Sequence, residues 1–257
     1  MKNKKLLAII GLVVVALGAG FLIYRDMNKE VPEGAIEVVD NTFDASDVST
    51  IAVGEPNPNA PKAPTLVRST EFKNTLSPET KTVILSNLDS AIKTLQKDSA
   101  DFSAWIMLGV YRKNLGNYEG AREAWDYAKT LAPNDVVPYN NLADLYHYYI
   151  KDFKKSEENW KKAIAVKSDY LLAYSGIVDL YKYSMTEKKG EIPVVLKEGI
   201  SKNPDALDLV VMLAHYYQDV GSITEAKKAY GDAIATAERL GNTDAFVRLK
   251  GELEAIK

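Results

Sequence analysis

A helix-turn-helix pattern that recurs at nearly constant spacing constrains the fold of this chain more than any other feature. The first copy covers about residues 102–135, where two helical stripes of small and aromatic residues flank a break at Asn114 to Asn117. The residues that mark the two stripes are Trp105, Leu108, Gly109, Ala121, Trp125 and Ala128. Neither helix alone can bury its stripe, so the copies must stack on one another.

Three further copies follow, at about residues 136–170, 171–206 and 207–240. The second copy has one extra residue, which we place in its turn. The third copy carries two extra residues and has Pro193 in the opening turn of its second helix. Flanking helices are predicted at 77–97 and 244–256. The first of them is predicted to begin at Ser77 and Pro78. The sequence therefore predicts a solenoid over residues 77–257.

The first copy reads W-x-x-L-G and then G-x-Y-x-x-A-x-x-x-W-x-x-A-x-x-x-x-P, which resembles the tetratricopeptide repeat (TPR). The resemblance implies an all-α fold, a right-handed superhelical solenoid of antiparallel helix pairs. One position departs from the pattern, because Arg112 stands where the family usually has tyrosine. An ordinary helical bundle is the alternative, but it predicts apolar faces without a fixed repeat length.

The N-terminal stretch predicts one transmembrane helix, at Leu6 to Tyr24. Its nineteen uncharged residues would span ~28 Å as a helix, about the hydrocarbon thickness of a bilayer. The lysines among residues 1–5 favour a cytoplasmic N-terminus. The chain is therefore predicted to cross the inner or cytoplasmic membrane once, with its repeats on the extracytoplasmic side. Residues 25–76, rich in proline and asparagine near their middle, are predicted to be an extended or disordered linker. A cleaved signal peptide is the alternative reading, and it exports the repeats as well.

Composition and motifs exclude several classes of function. A net charge of -3 gives no reason to expect nucleic acid as a partner. The absence of cysteine excludes disulfides, thiol catalysis and thiolate metal sites. No catalytic triad order, phosphate-binding glycine loop or metalloprotease motif occurs at usable spacing. We therefore predict a protein that is not an enzyme and that has no cofactor.

The TPR resemblance implies that the first helix of each pair lines the inner side of the solenoid, which we call the inner face. Its outward positions mix aromatic, sulfur-containing and amide side chains, a composition that suits a bound peptide or protein segment. The predicted partner-binding residues are Met107, Val110, Asn140, Asn141, Asp144, His147, Tyr148, Asp179, Tyr183, Met212 and His215. The family's clamp for C-terminal carboxylates is not expected, since of its positions only Asn141 is present.

A metal site on the inner face is conceivable because it carries both histidines, His147 and His215, with Asp144 and Asp179 nearby. The histidines belong to the second and fourth copies, however, and neighbouring helices pack ~10 Å apart, so one ion would be out of reach of both. We predict no metal site.

Three functional hypotheses remain open at this stage. The first is a membrane-tethered scaffold for protein-protein interaction that helps to assemble or maintain a cell-envelope complex. The second is a structural protein that self-associates into a homo-oligomer, for example through Ala16 and Gly20 of the predicted anchor, without a specific peptide client. The third is a receptor on an organelle surface with repeats in the cytosol.

Overall fold

The computed structural model describes residues 63–66 and 76–256. The predicted anchor, the residues before it and the rest of the predicted linker lie outside these ranges. Within the described ranges, none of the helices combines the length and the apolar character needed to cross a bilayer. The chain divides into two units, of which the first comprises residues 1–52 and 77–80 and the second residues 53–76 and 81–257. The repeats belong to the second unit.

Residues 76–256 are helical apart from short turns. The helices in chain order are α1 (Pro78–Lys97), α2 (Phe102–Asn114), α3 (Tyr118–Leu131), α4 (Val137–Asp144), α5 (Phe153–Val166), α6 (Leu171–Tyr183), α7 (Ile192–Lys202), α8 (Leu207–Asp219), α9 (Ile223–Arg239) and α10 (Thr243–Glu254). A π-helix (Leu145–Ile150) continues α4, and a 3-10 helix (Thr186–Glu191) precedes α7. From α2 onwards each helix packs against the next. The prediction of an all-α fold is confirmed.

Polar residues fix where several of these helices begin. The side chains of Asp101, Asn117, Asp152 and Asn242 each accept a hydrogen bond from the backbone N–H three residues further on. Such a bond satisfies one of the donors that a helix leaves unpaired in its first turn. The helices α2, α3, α5 and α10 therefore start at residues that the local sequence specifies.

Left-handed backbone ends several of the helices. Gly116 and Gly221 have φ angles of 80° and 73°, and the residue after each donates its N–H to a carbonyl five residues earlier, as in a Schellman cap. Lys151 takes the corresponding place after the second copy's first helix, with φ of 65°. A side chain in this conformation is strained relative to glycine, so the second turn is held at a local cost in free energy.

The extra residue of the second copy lies in its first helix and not in the turn, so our placement of it was wrong. The helix changes from α to π geometry at Leu145 and keeps it to Ile150. A π-helix takes one more residue per hydrogen-bonded turn than an α-helix, which accommodates an insertion without breaking the helix. The change shifts the directions of the side chains after Asp144.

Aromatic side chains fill the interior where small residues let the helices approach. The largest fully buried side chains are Trp105, Trp125, Tyr174, Tyr181 and Tyr230. Gly109 of α2 faces the Trp125 indole, and Gly176 of α6 faces the Trp160 indole, each so closely that a β-carbon would collide with the ring. Since both contacts pair a glycine of a first helix with a tryptophan of a second helix, they set the distance between packed helices.

Glu157 anchors the insertion of the third copy. Its buried carboxylate accepts hydrogen bonds of 2.6 Å from Lys161, from Tyr181 and from Lys188 of the 3-10 helix. Burial opposes ionisation of Glu157, but the hydrogen bonds from these partners outweigh it and lower the pKa to about 2. A carboxylate of α5 thus ties the inserted segment to α6.

Candidate functional site

The structure sorts the predicted partner-binding residues by exposure. Seven are half-buried, namely Met107, Asn140, Asn141, Asp144, Tyr148, Met212 and His215. Val110, His147 and Asp179 are buried, with 8%, 3% and 8% of their surface exposed. Tyr183 is 68% exposed. The buried three are out of reach of a partner unless the local packing changes, whereas Tyr183 is open to contact.

Polar side chains of the inner face are bonded between successive copies. Each of these pairs joins the first helix of one copy, or the residue after it, to the next such helix. The pairs and their distances are Lys113–Asp144 at 3.7 Å, His147–Ser184 at 2.9 Å, Lys182–Asp219 at 3.0 Å and His215–Glu252 at 3.0 Å. Because α10 takes part through Glu252, it continues the row as the first helix of a further, incomplete copy.

His147 is a packing residue of the second copy. Its Nε2 lies 2.9 Å from Ser184 Oγ, and its ring packs edge-on against Trp160 at 5.5 Å and tilted against Tyr148 at 4.1 Å. Burial, reinforced by the positive charge of Lys151, lowers the His147 pKa to about 4. The imidazole is therefore neutral at physiological pH and helps to hold the second copy against the third.

Two carboxylates of the inner face have raised pKa values. Asp144 keeps 37% of its side-chain surface exposed, yet surrounding protein desolvates it and raises its pKa, opposed by Lys113. Asp144 is therefore reached by solvent although protein atoms surround it closely. Burial raises the pKa of Asp179 to about 7, with Lys182 opposing. Asp179 thus holds a proton through much of the range below neutral pH and can then donate a hydrogen bond to a carbonyl oxygen.

Tyr149 lies beside Lys113 and Asp144, although it was not among the predicted partner-binding residues. Its ring lies 5.6 Å from Lys113 Nζ and 4.9 Å from the Tyr118 ring, and 40% of its surface is exposed. Burial and the nearby Asp144 raise its pKa. An α-helix would bring residue i+4, Tyr148, above Asp144, but a π-helix brings residue i+5, Tyr149, closer to that place. The extra residue of the second copy is visible in the sequence. Tyr149 was not predicted because that extra residue was placed in the turn and not in the first helix.

Metal binding finds no support in the described residues. No group of three or more histidine, aspartate or glutamate side chains within 63–66 and 76–256 has the geometry to hold an ion. His147 Nε2 is hydrogen-bonded to Ser184, and His215 Nε2 is hydrogen-bonded to Glu252 of α10.

Comparison with solved structures relates the fold to known proteins. A crystal structure of MamA superposes with a TM-score of 0.51 at 20% identity, covering 66% of this chain and 99% of that chain. PilW, described as a type IV pilus biogenesis factor, gives 0.46 at 17% identity over 69% of this chain and 86% of that chain. YrrB, described as a TPR protein with an unusual peptide-binding site, gives 0.45 at 13% identity over 65% and 92%.

At these identities the likeness shows the fold alone, which is that of a tetratricopeptide-repeat protein. No protein-family model matches the chain, and no curated protein matches it. The particular function has to be argued from the chain's own residues.

Proposed function

We propose that this chain is a membrane-tethered scaffold whose inner face binds an extended segment of a partner protein, in the assembly or maintenance of a cell-envelope complex. The tether is the apolar stretch at Leu6 to Tyr24, with the N-terminus in the cytoplasm and the repeats on the other side of the membrane. The observation that carries the binding role is an exposed tyrosine among polar side chains that already have partners.

Tyr183 is this residue, and it closes the first helix of the third copy. With 68% of its surface exposed, it offers an aromatic ring and a hydroxyl at low conformational cost. Lys182 beside it is paired with Asp219 at 3.0 Å, so the neighbouring charge does not need a partner's charge. Aromatic anchors surrounded by satisfied polar groups are typical of protein interfaces.

The group of side chains around Asp144 supplies a second type of contact. Lys113, Asp144 and Tyr149 cluster there, and the half-buried amides Asn140 and Asn141 lie one turn earlier on α4. Amides can donate to and accept from the main chain of an extended peptide, and Tyr149 can pack against its side chains. These groups favour a segment with exposed backbone and apolar side chains over a highly charged one.

Photocrosslinking with a matched control tests the proposal. A benzophenone amino acid replaces Tyr183 in one variant of the full chain and Val194 of α7 in another, since both positions are 68% exposed. In native membranes we expect Tyr183 to capture a distinct partner protein and Val194 to capture little. If the two positions capture the same proteins to the same extent, the inner face is not the binding surface, and the proposal is contradicted.

Two further outcomes separate the alternatives. Capture of only a second copy of this chain would favour the self-associating structural protein. Protection of the repeats from external protease in intact spheroplasts would place them in the cytoplasm and contradict the proposed topology.

A further inference from the structure

Residues 63–66, which we call the strap, lie against the first copy of the repeat. They form neither helix nor strand. Ala63 and Leu66 pack on the core cluster that contains Leu88 of α1 together with Trp105 and Leu108 of α2. These residues belong to the predicted linker, and nothing in their composition indicates a contact with the repeats.

Arg112 bonds the strap to the first copy. Its Nη1 donates to the carbonyl of Gly120 in α3 at 3.0 Å, and its Nη2 donates to the carbonyl of Thr65 at 2.9 Å. The side chain is only 4% exposed. A buried guanidinium needs acceptors for its donors, and Thr65 supplies one from a segment 47 residues earlier. A tyrosine at this position could not bridge two carbonyls in this way, because it has a single hydroxyl.

The contact has the features of peptide recognition. Arg112 bonds a main-chain carbonyl and not the threonine side chain, so it requires an extended backbone and not a particular residue at position 65. Pro64 fixes its own φ angle and biases Ala63 toward extended conformations, which lowers the entropy lost on docking. Ala63 and Leu66 supply the apolar contacts.

We propose that the first copy carries a binding surface for an extended peptide, centred on Arg112, and that residues 63–66 of the same chain are its occupant. The strap therefore covers the part of the first copy that surrounds Arg112. The contacts of this surface include neither Tyr183 nor Asp144, so the proposal does not depend on the proposed function.

Cysteine labelling of the full chain tests the proposal, and the natural sequence contains no cysteine that would interfere. Ala63→Cys reports on the strap. Val247→Cys on α10 is the exposed reference, with 64% of its surface open. We expect a maleimide to react with residue 63 at least about tenfold more slowly than with residue 247. Equal rates in the otherwise unchanged chain would overturn the proposal without any substitution of Arg112.

The role of Arg112 is tested by adding Arg112→Met, which keeps the buried length and removes the donors. We expect labelling at residue 63 to approach the reference rate, while the neighbouring change Lys113→Met leaves it slow. Slow labelling in a folded Arg112→Met chain would show that Arg112 does not hold the strap. Protection that disappears on dilution would show that the strap of a second copy occupies the surface, which would overturn the assignment to the same chain.

Discussion

Gly109 and Trp125 approach so closely that a β-carbon on Gly109 would collide with the indole Nε1. That nitrogen donates to the carbonyl of Ile106 at 3.0 Å, so the ring is held on its polar side as well as by packing. The indole cannot withdraw without losing this hydrogen bond. The first copy of the repeat is therefore intolerant of any added volume at residue 109.

Gly109→Ala is expected to destabilise the full-length protein by about 1 to 3 kcal/mol, the usual range for overpacking a core. Gly231→Ala is the control, because Gly231 lies in α9 with nothing within 4 Å of the added β-carbon. There alanine should stabilise the helix by about 1 kcal/mol through its higher helix propensity. Urea denaturation followed by tryptophan fluorescence measures both. A stabilising Gly109→Ala would contradict the packing described for α2 and α3.

Trp125→Ala should cost more, about 3 to 5 kcal/mol, since it leaves a cavity between stacked helices. Tyr183→Ala removes an exposed ring and should change the free energy of unfolding by less than about 0.5 kcal/mol. The same denaturation experiment compares them. A large loss of stability in Tyr183→Ala would show that this tyrosine is a packing residue and would weaken its role as a binding anchor.

The local sequence was sufficient to predict where the helices pair and which of the repeated small and aromatic residues pack between them. It did not predict that three of the proposed binding residues are buried. Glycine, alanine and tryptophan at fixed spacing leave few ways to bury a helical hairpin, and the all-helical fold of TPR type followed from them. The contacts that could not be predicted join distant residues. Arg112 meets Thr65 across 47 positions and His147 meets Ser184 across 37. Periodicity alone does not identify such partners.

The π-helix was not predicted from the sequence for a different reason. The sequence shows that the second copy has one residue too many, but both a longer turn and a π-helix accommodate it. Lys151 takes the left-handed conformation that ends the helix, where glycine stands in the first and fourth copies. The turn therefore keeps its length and the helix takes the extra residue. This choice depends on the energy of two backbone alternatives that differ little.

Replacement of Lys151 by glycine tests the strain in that turn. Lys151→Gly should stabilise the protein by about 1 kcal/mol, because glycine adopts positive φ without steric cost. Glu158→Gly, at an exposed position inside α5, should destabilise it by a similar amount. Thermal unfolding of the two variants against the parent protein checks the opposite signs. If both substitutions destabilise, the left-handed turn at Lys151 is not strained.

His147 should contribute to the stability an amount that is lost in mild acid. Its pKa is about 4 in the folded protein and 6.5 in the unfolded chain, so the unfolded chain binds the proton first as the pH falls. The contribution of neutral His147 to stability is complete above about pH 6.5 and is lost between pH 6.5 and 4, by up to about 3 kcal/mol. His147→Gln should remove this dependence, whereas His215→Gln, at a half-exposed position, should keep it. An unchanged pH profile in His147→Gln would contradict the assignment.

Asp179 should have the opposite effect on the pH dependence of stability, over nearly the same pH range. Burial raises its pKa from 3.8 to about 7, so the folded protein binds the proton more tightly, and stability falls as the pH rises between those values. Since this loss offsets the gain from His147, the unmodified protein should show a flatter profile than either single variant.

Asp179→Asn removes the cost of the buried charge. We expect it to raise the free energy of unfolding at pH 7.5 by about 1 to 4 kcal/mol and to have little effect near pH 4. Asp219→Asn, which removes an exposed carboxylate paired with Lys182, should change stability by less than about 1 kcal/mol at either pH. Denaturation curves at the two pH values separate the cases. Equal effects of Asp179→Asn at both would mean that the carboxyl group keeps one protonation state throughout, which would contradict its raised pKa.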